Sequence, residues 1–129
     1  MGNREMPGGL SGGLRRLGAV AGAMVLVVAL MIGTNVMLVR WIATTSAIFL
    51  VGTLALAALY HTLGGYVCAV LARGARSAVL GVVGVGAAIM LGSVIHTWPT
   101  VPPWYSVAML AIAPSFLWFG GQRHARSQH

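Results

Sequence analysis

Residues 78–96 read AVLGVVGVGAAIMLGSVIH, a run without charge in which Ser93 and His96 are the polar side chains. Its apolar residues fall on every face of a helix, not in one stripe, and they do not alternate as a half-buried strand would. A helix of this length reaches nearly across a hydrocarbon core of about 30 Å. A helix that is apolar all round needs either lipid or a large protein interior around it. A chain of 129 residues has no such interior to offer.

Three further runs of the same kind flank it. Leu17–Val39 is interrupted by Thr34 and Asn35, and a stretch from about Thr45 to Ala72 by Thr53, His61 and Thr62. The last, about Trp104–Gly120, contains Pro114, which removes a helix hydrogen bond and crowds the carbonyl of Leu110. Composition agrees: 58% of residues are apolar, 7% are charged and mean hydropathy is +0.88. Soluble domains carry about 25% charged residues. The expected fold is therefore all-α, an integral membrane bundle of four helices over about 17–39, 45–72, 78–96 and 104–120. A soluble helical bundle would show polar stripes, and a barrel would show period-two strands of about ten residues.

Residues 1–16, MGNREMPGGLSGGLRR, read as a flexible tail, and 122–129 as a basic one. The first apolar run is longer than a signal peptide's core, so it reads as a retained anchor. Met6 stands where N-myristoylation needs Ser or Thr. All eight basic residues are Arg, and the one acid is Glu5. With both termini cytoplasmic, Arg4, Arg15, Arg16, Arg73, Arg76, Arg123 and Arg126 share that side. Arg40 alone faces out, as the positive-inside rule favours. Trp41, Trp98, Trp104 and Tyr105 then gather at the outer interface, with Trp118 and Phe119 near the inner one. The arginines form no continuous stripe and are not interleaved with aromatics, which argues against nucleic acid as a partner.

Helices in lipid associate through small residues and a few polar contacts. Gly18 and Gly22 on the first span, and Gly81, Gly84 and Gly92 on the third, are candidate packing positions, and Ala58, Gly65, Ala69 and Ala72 serve the same purpose on the second. His61 and His96 form the candidate intramembrane polar site. His61 reads either as a functional group or as a neutral imidazole bonded to a carbonyl or a Thr hydroxyl. Their depths differ by roughly 20 Å at the helical rise, too far for two ligands of one haem iron. Residues 96–105, HTWPTVPPWY, join an imidazole, two indoles, three prolines and a phenol. Trp98, Pro102, Pro103, Trp104 and Tyr105 read as a proline-stiffened turn, or as a recognition cap for a partner or lipid head group. Asn35, Ser93 and Ser106 lie at similar depth. Cys68 can form no internal disulfide and reads as a small buried hydrophobe. His124 and His129 read as solvated tail residues. No Walker loop, GxSxG, HExxH, CxxC or carboxylate pair is present, and no catalytic, cofactor or metal residue is assigned.

From Gly64 to Gly121 the chain resembles a set of small bacterial four-helix membrane proteins of unassigned function. The matching residues are GGYVCAVLAR at the end of the second span, HTWPTVPPWY in the outer loop, and Pro114 with Gly120 and Gly121 in the fourth span. The spacing His96-x-Trp98 is one residue shorter than the pattern. The resemblance implies the topology and no activity.

These observations lead to the expectation of a non-enzymatic protein of the bacterial inner membrane. Its partners are the bilayer and either other membrane subunits or itself, and it acts as an accessory or assembly subunit of a larger complex. An oligomeric transporter or channel is the second reading, and a haem-type electron carrier the third.

Overall fold

The computed structural model describes residues 9–40 and 46–127. Four helices make up the fold: α1 (Gly9–Val39), α2 (Ala47–Leu71), α3 (Arg76–Thr97) and α4 (Pro103–Ser127). All four are long and apolar enough to cross a membrane. Arg4, Glu5, Trp41 and His129, and the start of the second run at Thr45, lie outside the described residues.

The helices extend past the apolar limits at two points. α1 begins at Gly9 rather than Leu17, and α4 continues through Gln122 to Ser127, so both expected tails are partly helical. A helix ends where backbone hydrogen bonding ends, and loss of hydropathy alone does not stop it. Ala, Arg and Gln are all good helix formers. At about 1.5 Å per residue, the 31 residues of α1 reach about 46 Å, well beyond the hydrocarbon. α4 also runs on through Pro114.

Local chemistry accounts for the other ends. Ser46 caps α2 by accepting the Phe49 N–H at 3.2 Å. Pro103 opens α4 at its first position, where its missing N–H costs nothing. After α2 the chain closes a 6→1 and 5→2 hydrogen-bond pair: Gly74 N–H donates to Ala69 C=O at 2.7 Å, and Arg73 N–H to Val70 C=O at 3.1 Å. Both Arg73 (φ 52°) and Gly74 (φ 74°) are left-handed, a conformation that suits the glycine and strains the arginine.

Cross-helix pairs fix the arrangement. Thr34 hydrogen-bonds Tyr60 while Val27 presses toward Gly64, so α1 and α2 are antiparallel. The Cys68 thiol donates to Ala78 C=O at 3.6 Å while His61 and Gly86 line one cleft, so α2 and α3 are antiparallel. Thr53 meets Tyr105 near one end, and Gly65 meets Leu117 near the other, so α2 and α4 are parallel. The start of α1 and the end of α4 therefore lie at one end of the bundle, the terminal end. The α1–α2 and α3–α4 connections lie at the other, the loop end. Around the bundle the order is α1, α2, α4, α3. α2 and α4 make the most intimate contact, and α1 and α4 stand on a diagonal without close backbone approach among the described residues.

Leu117 is fully buried and fills a seat made by Gly64, Gly65 and Gly86. Around it lie Ala19, Ala23, Met24, Cys68, Ala72, Ala78 and Val82. A second cluster toward the loop end joins Ala57, Met90, Met109 and Ala113. Large apolar side chains such as Val25, Ile48, Leu80, Ile95 and Val107 point outward. The core is thus built largely from small residues, with Leu117 and three methionines as its larger side chains, and most leucines and isoleucines cover the outside. That inversion suits a solvent as apolar as leucine itself.

Candidate functional site

The backbone carbonyl of Ala57 accepts a hydrogen bond from Nδ1 of His61 at 2.6 Å, one turn back on α2. Because a carbonyl only accepts, Nδ1 carries the proton, and the neutral ring leaves a lone pair on Nε2. His61 is 3% exposed, and Nε2 has no hydrogen-bond partner among the described residues. The ring lines a cleft of about 200 Å³ between α1 and α3.

Helical spacing builds this cleft. Met24, Val27, Val28, Met31, Ile32 and Asn35 follow one face of α1 at steps of three, one, three, one and three. Gly86, Ile89, Met90 and Ser93 do the same on α3. His61 reaches the space from α2, beside Gly86 of α3. Val28, Ile32, Asn35, Ile89 and Ser93 are exposed at the rim, while Met24, Met90 and His61 are buried. The opening faces sideways from the bundle, between two helices that run in parallel.

Beside it, toward the loop end, two hydroxyl pairs tie α2 to its neighbours. Thr34 Oγ1 meets Tyr60 Oη at 2.6 Å, and Thr53 Oγ1 meets Tyr105 Oη at 3.0 Å while donating to Leu50 C=O at 2.9 Å. A small space of about 50 Å³ lies between them, bordered by Asn35, Ala57 and Met109. Ser106, 1% exposed, has a hydroxyl with no partner among the described residues.

The expected outer cap comes apart into separate jobs. Trp98 and Trp104 are half exposed, and Trp104 meets Tyr105 edge to face at 6.0 Å. Tyr105 turns its hydroxyl inward to Thr53 and serves packing. Pro102 accepts the first N–H bonds of α4, from Tyr105 at 3.0 Å and Ser106 at 3.4 Å, and Pro103 begins the helix. His96 is exposed in the last turn of α3. It stands ten residues from Gly86, the α3 residue level with His61, or about 15 Å along the axis. The two histidines are not brought together. Asn35 and Ser93, grouped with His96 by depth, belong instead to the cleft of His61.

Among the six candidate packing glycines, Gly65 sits directly against the backbone of Leu117, and Gly22 and Gly81 make ordinary contact with Leu71 and Val20. A Cβ at Gly18, Gly84 or Gly92 would meet nothing. Close approach also falls on Gly64, Gly86, Gly120 and Gly121. Cys68 is the buried hydrophobe expected. His124, expected in a solvated tail, is half-buried in α4 with its ring edge-on to Tyr66 at 5.7 Å. At the terminal end Arg76 lies over Trp118 at 5.7 Å, and Arg123 over Phe119 at 5.0 Å. Arg76 and Arg126 border an open cleft of about 300 Å³ there.

The chain matches no protein-family model, no curated protein and no solved structure.

Proposed function

We propose that this is a multi-pass protein of the bacterial inner membrane with both termini in the cytoplasm. In this reading it is a non-enzymatic accessory or assembly subunit that packs against a larger membrane complex. The observation that carries it is the open space at Gly18, Gly84 and Gly92 on an otherwise apolar exterior. Such positions let another helix's backbone come close, and the chain's own helices do not use them. Orientation is supported by the arginines: among the described residues, Arg15, Arg16, Arg73, Arg76, Arg123 and Arg126 lie toward the terminal end and Arg40 toward the loop end.

The test is native mass measurement after gentle extraction at endogenous level, with an absorption spectrum on the same sample. A colourless species carrying a stoichiometric partner supports the role, and Gly84→Leu with Gly92→Leu should then release that partner while the bundle stays folded. A homo-oligomer alone would transfer the role to transport, and a haem band would transfer it to electron carriage. For orientation, cysteines placed at Arg126 and Thr100 in a Cys68→Ala background should react with an impermeant maleimide at Thr100 alone in intact cells.

A further inference from the structure

We propose that the cleft between α1 and α3 binds a lipid-soluble phenol of the hydroquinone type, whose hydroxyl donates to Nε2 of His61. Three observations converge on that class. First, the cleft holds about 200 Å³, and an apolar cavity of about 150 Å³ already accommodates benzene, so one substituted ring fits. Second, the walls suit a flat aromatic face: Met24, Met31 and Met90 all line the cleft, and thioethers pack favourably against rings. Third, the polar group at the floor is an acceptor. Nδ1 is held by Ala57, so the neutral ring offers only the Nε2 lone pair. A hydroxyl satisfies that lone pair; a quinone carbonyl or an ether leaves it unpaired.

The route of entry agrees with this chemistry. The rim carries Val28, Ile32 and Ile89 and no charged side chain, so the cleft takes its occupant from the lipid phase. Asn35 and Ser93 stand where α1 and α3 near the loop end, and they can meet a second polar substituent at the far end of the ring. Apolar walls with a few convergent polar groups are the usual form of a small-molecule site. This binding is independent of which partner meets the exterior glycines.

The test uses the full chain in lipid nanodiscs, with ¹⁵N-labelled histidine and three probes of one size. These are trimethylhydroquinone, trimethylbenzoquinone and the dimethyl ether of the hydroquinone. The hydroquinone should shift the His61 Nε2 resonance saturably and leave His96, His124 and His129 unmoved. The quinone and the ether should bind about 3- to 20-fold more weakly, the cost of one unmade hydrogen bond in lipid. Ile32→Trp should fill the cleft and abolish the response while the Nδ1 resonance keeps its bonded position, which separates loss of binding from loss of fold. Equal binding of the ether, or no saturable shift at His61, would overturn the proposal.

Discussion

Gly65 of α2 and Gly120 of α4 are seated on each other's helix backbones. A Cβ at Gly65 would run into the carbonyl of Leu117, and one at Gly120 into the carbonyl of Thr62. The two contacts are reciprocal and lie one turn apart, so this crossing sets the distance between α2 and α4. Neither neighbour is a flexible side chain that could swing aside. Gly65→Ala or Gly120→Ala must push the helices apart, at a cost of about 2–3 kcal/mol or more. Gly84→Ala, with open space at that position, should change stability by under about 1 kcal/mol and in the stabilising direction. Unfolding in detergent, followed by circular dichroism, compares the three variants directly.

Leu117 fills the seat that Gly64, Gly65 and Gly86 form, at 0% exposure. Truncation to alanine leaves a void that the glycine backbones cannot close. Leu117→Ala should cost about 2–5 kcal/mol. Leu80→Ala, at an outward position, should cost much less in the same denaturation series.

The Thr53–Tyr105 bond at 3.0 Å and the Thr34–Tyr60 bond at 2.6 Å hold three helices at the loop end. Interhelical hydrogen bonds in membranes contribute about 0.6 kcal/mol on average, up to about 1.7. Tyr105→Phe and Tyr60→Phe should each fall in that range, and a double variant should lose nearly the sum because the pairs share no atom. Additivity is read from the same unfolding curves.

Ser106 buries a hydroxyl without a protein partner beside that network. Removing an unpaired polar group from a low-dielectric interior relieves strain on stability. Ser106→Ala should be neutral or stabilising by about 1 kcal/mol, the opposite sign to the tyrosine variants.

Arg73 occupies the left-handed position after α2 that glycine ordinarily fills, with Gly74 one residue late. Arg73→Gly should stabilise the turn by about 1 kcal/mol, and Gly74→Ala should destabilise it by a similar amount. The first change also removes a charge from the terminal end, so Arg73→Asn, which tolerates the same conformation, serves as its control on stability.

Hydropathy locates all four helices because each run is apolar enough to need no partner to declare it. Helix ends are harder to read, since Gly9–Arg16 and Gln122–Ser127 are helical without being apolar. Depth along a helix follows from counting, and it separates His61 from His96. Angle around a helix does not, because a run that is apolar on all faces carries no stripe to mark its inner side. For that reason Asn35 and Ser93 group with His96 by depth yet border the cleft of His61. Glycine spacing is a partial guide in the same way: it picks out Gly65, but Gly18 and Gly22 stand four apart without close approach, while Gly64 and Gly86 receive the Leu117 side chain and Gly120 meets the backbone of α2. The Gly120–Gly121 pair is visible in the sequence without a packing role attached to it. Its partners, Thr62 and Tyr66 on α2 and Val79 on α3, follow only from the three-dimensional order α1, α2, α4, α3.

That order has a consequence for how the chain is made. Synthesis runs from the N-terminus, so α1, α2 and α3 are made before Leu117 exists. Until it arrives, the seat on Gly64, Gly65 and Gly86 stays vacant and α2 lacks its tightest neighbour. The tightest contact of the mature bundle is therefore the last to form, and a chain that stops short of α4 is left with its centre unfilled.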